Sequence, residues 1–337
     1  MKRLLALSLA AGLILTGCGK NADTGAPTAS APAAGGKKLT IAMLPKSKGN
    51  AYFLSAAKGA QKAADALGDT LLFDGPTQTD PAMQNQIVEN WINSGVDVIA
   101  VAAENKDALS TALRKAQSKG IKVVSFDADV LPDARTFFVN QATPEGIGST
   151  LMDEAARLCN NEGEFAIITA SLTAANQNEW KKHIDERLKA YPKMTLVDFR
   201  PSDDDKAKAQ AEATTLMSAH PNLKLIMAIC SPGVPGAAEA VKQAGKTGQV
   251  KVIGLGLPNE NKRYVHEGVT NNIILWKTLD LGELTLRAAV ALVQGTLQPG
   301  DKSFAAGSLG NFEIHGDEIW LGKPFTFDQD NIDQFDF

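Results

Sequence analysis

The run Ser125-Phe-Asp-Ala-Asp129 closes a stretch of strand character with two acids, Asp127 and Asp129, placed on one side of an extended chain. Carboxylates so placed suit three chemistries: a hydrolytic acid–base pair, a cation site, or acceptors for ligand hydroxyls. Cleaving a glycosidic bond requires two acids that flank it, which one short segment arranges poorly. An ionised carboxylate accepts two hydroxyl hydrogen bonds at once. Asp127 is therefore assigned to ligand, and Asp129 to capping the loop.

Other polar and aromatic groups cluster in a few loops. Ala42-Met-Leu-Pro-Lys-Ser-Lys-Gly-Asn-Ala-Tyr-Phe53 carries Lys46, Tyr52 and Phe53 between a strand and a helix. Phe53 could be helix core and Lys46 a solvated charge. Together they could instead hold a sugar, its C–H faces on rings and its hydroxyls on polar groups. Ala174-Ala-Asn-Gln-Asn-Glu-Trp180 opens a later helix. Asn176 there could be an N-cap, but three amides and an indole exceed what capping needs, so Asn176, Gln177 and Trp180 join the candidates. Asn140 lies in Thr136-Phe-Phe-Val-Asn-Gln141, read as a crossing between lobes. Trp276 is core or an opposite stacking wall, and Ser231 or its backbone, in Cys230-Ser-Pro-Gly-Val-Pro235, lines the site.

No metal or cofactor is expected. The four His are scattered without zinc spacing. The first loop has no Gly-x-Gly-x-x-Gly, and neither a Walker lysine motif nor a Gly-x-Ser-x-Gly elbow occurs. Cys159 and Cys230, far apart in sequence, either pair or stand as independent buried residues, the latter being commoner.

Regular elements must position these groups. From Lys38 onward, short apolar runs (39–44, 70–73, 96–102, 121–126) alternate with helical periodicities (53–67, 80–95, 106–120). A second series follows, with strands at 164–170, 194–199, 223–230 and 251–255, and helices at 144–158, 178–189, 203–219 and 235–245. Strands apolar throughout, alternating with helices, imply parallel sheets covered on both faces. The fold class is α/β with two doubly wound parallel-sheet lobes, and ligands bind beyond the carboxyl ends of such strands, here in the cleft between lobes.

The chain has 337 residues and a net charge of −4, room for two domains with no basic surplus for nucleic acid. Lys2 and Arg3 followed by the apolar run Leu4 to Leu15 form a signal peptide over 1–17, too short to span a membrane as an anchor. Leu15-Thr-Gly-Cys18 resembles the lipobox of bacterial lipoproteins, which implies cleavage before Cys18 and lipidation of its thiol. Loss of Lys2 and Arg3 leaves a mature charge of −6. Residues 18–37, rich in Ala, Gly, Ser, Thr and Pro, read as a flexible tether.

Seven motifs recur in a telling order: Leu-Pro-Lys (44–46), Asp-Gly-Pro (74–76), Phe-Asp-Ala-Asp (126–129), Asn-Gln-Ala-Thr-Pro (140–144), Asn-Gln-Asn-x-Trp (176–180), Gly-Leu-x-x-Pro-Asn (254–259) and Leu-Trp-x-x-x-Asp-Leu-Gly (275–282). Spread over nearly the whole mature chain, the set resembles type I periplasmic sugar-binding proteins of ABC importers, in the branch of the rhamnose-binding proteins and autoinducer-2 receptors. In those receptors a first-loop Lys, an Asp after the fourth strand and an Asp-Gln pair hold the furanose. Lys46, Asp127 and Gln177 match, but Asn176 replaces the acid. An amide donates as well as accepts, and a buried hydroxyl facing the wrong group costs about 1–3 kcal/mol, a roughly tenfold to hundredfold change in affinity. That substitution shifts the expectation toward a monosaccharide such as a deoxyhexose. Lys277 stands where sugar-binding relatives often carry Asn.

The resemblance implies a monomeric binding protein, not an enzyme, that closes over one monosaccharide and delivers it to a permease. The membrane is touched through the lipid anchor only. The lobes are expected at 38–140 plus 258–300 and at 141–257 plus 301–337, joined by a hinge of about three crossings. A transcription regulator of this fold class would need a DNA-binding helix pair where this chain has its signal and tether. A chemoreceptor partner role shares the fold.

Overall fold

Strand β1 (Thr40–Leu44) is buried on both faces from its second residue onward, the mark of a central strand covered by helices. It opens the run α1 (Ala51–Leu67), β2 (Thr70–Phe73), α2 (Pro81–Ser94), β3 (Val98–Val101), α3 (Lys106–Ser118), β4 (Lys122–Phe126) and β5 (Phe137–Asn140). The chain continues through α4 (Pro144–Leu158), β6 (Glu162–Thr169), α5 (Ala175–Leu188), β7 (Lys193–Pro201), α6 (Lys206–Ala219), β8 (Leu223–Ala228), α7 (Gly233–Gln243), β9 (Lys251–Gly254) and α8 (Pro258–His266). It closes with β10 (Ile273–Leu275), α9 (Thr278–Gln294), β11 (Ser303–Ala305), β12 (Asn311–His315), β13 (Glu318–Trp320) and β14 (Phe325–Phe327). This computed structural model describes residues 37–337. The signal peptide, Cys18 and nearly all of the expected tether lie outside the described residues.

The helix limits follow local chemistry. Asp80 accepts from the backbone N–H groups of Ala82 and Met83 ahead of Pro81, which sits where no N–H is needed. Gly95 ends that helix in the left-handed conformation. Asn50 caps α1 and Thr143 caps α4 in the same way as Asp80.

Two parallel sheets result. The first has the order β11-β12-β13-β5-β4-β3-β1-β2, parallel from β13 to β2, with β11 to β13 added as an antiparallel edge. Helices α1 and α9 pack together on one face, α2 and α3 on the other. The second sheet, β7-β6-β8-β9, is parallel throughout, with α4 and α5 against each other and α6 against α7. Strands β10 and β14 form a small antiparallel pair that joins the second sheet through a bridge from Ile274 to Leu255.

Helices α1 and α9 meet backbone to backbone. A Cβ on Gly282 would lie 1.7 Å from the Ala56 carbonyl oxygen, and one on Gly59 would lie 1.9 Å from that of Leu279. No side chain fits at either position unless the helices separate.

Two expectations are corrected. The segment read as a crossing, Thr136 to Gln141, contains strand β5, and the crossing follows at 141–143. The lobe limits also move. Residues 273–275 hydrogen-bond to β14 and lie beside β9, so the chain returns to the first lobe only after Trp276. Residues 303–320 then join the first sheet, because β13 pairs with β5. The described residues thus pass between lobes at 141–143, 276–277 and 321–324.

Candidate functional site

The carboxyl ends of strands from both sheets converge on one cavity. Lys46 follows β1, Glu104 follows β3, Asp127 follows β4, Asp204 follows β7, and Cys230 and Ser231 follow β8. Helix α1 contributes Tyr52 and Phe53, α5 contributes Asn176, Gln177 and Trp180, and the second crossing contributes Trp276. These atoms bound one cavity, which is partly open to solvent.

Asp127 is the most constrained of these groups. Its φ of 60° is left-handed, a conformation an Asp tolerates better than most residues and one often found at functional sites. This bend corrects the extended geometry expected for Asp127 and Asp129. Asp129 faces away, accepting from Ser125, from the Val130 N–H and from Arg135 through Nε and Nη2. Asp127 instead accepts from the Tyr52 hydroxyl at 2.9 Å, and Tyr52 accepts from the Trp276 indole N–H at 2.8 Å. Lys46 Nζ lies 3.8 Å from the other Asp127 oxygen. Burial pushes the Asp127 carboxyl above its ordinary range, against the opposing pull of Lys46 and Tyr52. Burial and the Asp127 charge likewise raise Tyr52, keeping it a neutral donor.

The second lobe presents amides. Lys46 donates across the cleft to Asn176 Oδ1 at 3.0 Å, and the same oxygen accepts from the Gln177 N–H at 2.9 Å. Asn176 is not the helix cap, a place taken by Ala174. The Gln177 side-chain oxygen accepts from the Thr169 hydroxyl at 2.5 Å and the Ala170 N–H at 2.7 Å, so what it offers the cavity is its amide nitrogen. A second cross-cleft bridge runs through Asn50, which donates to Asp204 at 2.7 Å and accepts from Ser231 at 3.1 Å. The lobes are thus drawn together over the cavity.

Aromatic rings form its apolar wall. Trp276 meets Trp180 at 6.2 Å and Tyr52 at 6.1 Å in edge-to-face contacts, and Phe53 sits 5.1 Å from Tyr52. Leu255 and Leu275 complete this side. Tyr52 and Trp276, expected as apolar walls, are also the hydrogen-bonded pair that orients Asp127.

Of the ten candidate binding residues, Lys46, Tyr52, Phe53, Asp127, Asn176, Gln177, Trp180, Ser231 and Trp276 line this cavity. Asn140 does not. It pairs with Trp320 in the first sheet, and its amide donates to Glu318 at 3.1 Å. Asn50, Thr79, Glu104 and Asp204 also line the cavity and were not singled out from the sequence. Glu104 and the run Asp203 to Asp205 follow strands whose carboxyl ends the fold rule already marks. Asp204, at a left-handed φ of 55°, has its carboxyl raised to about 6, first by burial and further by the charges of Glu104 and Asp127, against its bond from Asn50 and the pull of Lys46.

Neither remaining cysteine is in a disulfide, and burial pushes the Cys230 thiol up to about 12, too high for a nucleophile. Among the described residues, no group of three or more His, Cys, Asp or Glu could hold a metal ion. No helix among them is long and apolar enough to cross a membrane.

The sequence pattern of the periplasmic binding protein domain matches residues 41–297, from β1 to just past α9. The chain belongs to that family. It is therefore a binding protein rather than an enzyme, built on two α/β lobes in the manner of the type I sugar-binding proteins of ABC importers. Among its relatives, the D-ribose/D-allose-binding protein of Pseudomonas aeruginosa is 32% identical over 263 residues, covering 75% of this chain and 81% of that protein. A solute-binding protein from Clostridium phytofermentas, solved with L-rhamnose bound, superposes with a TM-score of 0.85 at 32% identity over 88% of this chain and 98% of the other. LsrB from Clostridium saccharobutylicum, in complex with AI-2, gives 0.84 at 25% identity, covering 89% of this periplasmic binding protein and 100% of LsrB.

Proposed function

We propose that this chain is the substrate-binding component of an ABC sugar importer and that it closes over one monosaccharide, a rhamnose-like deoxyhexose, between its lobes. The observation that carries the reading is the mixed lining of one cleft. Lys46, Asp127, Asn176 and Gln177 offer donors and acceptors, and Phe53, Trp180, Leu275 and Trp276 face them with apolar surface. A deoxyhexose has the matching character, hydroxyls on one part and a methyl group on another. The rhamnose-bound relative supports this choice, and so does Asn176, whose amide can donate where an acid could only accept. Closure is hinge motion about the three crossings, drawn by contacts made only when the lobes meet. A lipid on Cys18 holds the protein at the membrane, and it hands its sugar to the permease as a monomer. Cys18→Ser should move it from the membrane fraction to the soluble one; retention in the membrane fraction would refute the anchor.

A thermal-shift panel of L-rhamnose, D-ribose, D-allose and autoinducer-2 tests the ligand, because a bound ligand raises the melting temperature by mass action. L-rhamnose should give the largest rise. The autoinducer-2 reading, favoured by the likeness to LsrB and by Lys46, Asp127 and Gln177, takes its place if autoinducer-2 does. No shift with any of the four would overturn the sugar reading.

A further inference from the structure

We propose that Glu104, standing with Asp204 where the inner cavity opens into the outer cleft, is a second acceptor subsite that takes a hydroxyl hydrogen from the bound sugar. The inference rests on the reading of the cleft as a monosaccharide site, and it adds a contact apart from Lys46, Asp127, Asn176 and Gln177. Glu104 is only 4% exposed and its carboxyl has no hydrogen-bond partner: Oε2 is closed off behind, and Oε1 is the oxygen left to meet the cavity. It lines both the inner cavity and the polar groove outside it, as do Asn50, Thr79 and Asp204.

This position is built. Gln84 is fully buried and accepts from the Glu104 backbone N–H at 3.0 Å. Its amide nitrogen donates to the carbonyls of Pro45 and Ala102, each at 2.9 Å. One side chain therefore fixes both the loop that carries Lys46 and the loop that carries Glu104.

A buried carboxylate oxygen without a donor leaves its desolvation cost unrecovered, and native proteins keep few such groups. Lys46 bonds Asn176 beside Asp127 and the Asn50 amide bonds Asp204, and no protein donor reaches Glu104 Oε2. Glu104 stands near enough to Asp204 for its charge to help raise the Asp204 carboxyl. A carboxylate only accepts, so whatever completes it must bring a hydrogen. A sugar hydroxyl does so, whereas a methyl group or fluorine at the same carbon does not. The subsite thus reads the presence of one particular hydroxyl, and it sets which sugars are accepted at the mouth of the cavity.

The test is titration calorimetry with the tightest binder among L-rhamnose, D-ribose and D-allose, followed by analogues in which one hydroxyl at a time is replaced by fluorine. Parent, Glu104→Ala and Glu104→Gln proteins are compared. One analogue should bind the parent at least about tenfold more weakly, with no further loss in Glu104→Ala, the coupling expected of a direct contact. Glu104→Gln should melt no lower than the parent without ligand, because an uncompensated buried charge is gone. If both variants bind the sugar as tightly as the parent, or every analogue loses equally in parent and Glu104→Ala, the subsite is refuted and the sugar site stands. If the parent binds no monosaccharide, both fall together.

Discussion

The Lys46 ammonium, from the first lobe, reaches the Asn176 side-chain oxygen of the second at 3.0 Å. That bond ties a cation already paired with Asp127 to a residue that moves with the other lobe, so the polar heart of the site exists only when the lobes are together. Asn176→Asp keeps the oxygen that Lys46 uses and removes the amide hydrogens. A ligand acceptor facing that amide would lose its partner, and affinity should fall about tenfold to hundredfold. Titration calorimetry on parent and variant reads this directly, and equal affinities would show that the amide never contacts the ligand.

The chain from Trp276 through Tyr52 to Asp127 makes a second expectation. Tyr52→Phe leaves the indole N–H and one Asp127 oxygen without their partner among buried side chains. The variant should lose about 1–3 kcal/mol of stability, seen as a lower urea midpoint at unchanged slope. Sugar affinity should fall with it, as Asp127 loses its orientation.

The sheets and most helices were legible in the sequence because their signals are local. Asp80-Pro81 and Thr143-Pro144 announce helix starts, and the unbroken apolar runs of β1 and β3 announce buried parallel strands. The tail was not legible in this way. Strands β11, β13 and β14 have three residues each, too short for periodicity, and the pairing of β13 with β5 joins residues about 180 apart in sequence. The same limit acted within the site. Asp127 could be chosen from its place at a strand end, but its turn to a positive φ, which separates it from Asp129, was not visible. Glu104 and Asp204 looked like ordinary loop acids until two lobes brought them to one cavity. Asn140, which reads as a ligand amide in its motif, is spent on Glu318.

The raised carboxyl of Asp204 gives a pH dependence with a definite sign. Its folded value of about 6 stands above the ordinary 3.8. Between these values the unfolded chain has released a proton that the folded chain keeps, so the fold binds more protons and stability falls as pH rises. The contribution is full below pH 3.8, is lost by about pH 6, and changes little above that. Asp204→Asn should flatten this part of the stability profile relative to the parent while leaving the remaining carboxylates to titrate. Denaturation midpoints at pH 4.5, 5.5 and 7 on both proteins, at about 0.15 M salt, check it.

The central claim is that a monosaccharide is held between the lobes at Asp127. Calorimetric titration of the full chain with L-rhamnose, parent beside Asp127→Ala, tests it most directly. The parent should bind one sugar per chain, and the variant should bind more than about tenfold more weakly, having lost the acceptor that Lys46 and Tyr52 hold in place. A variant that binds as tightly as its parent, or a parent that binds no sugar, would contradict the account.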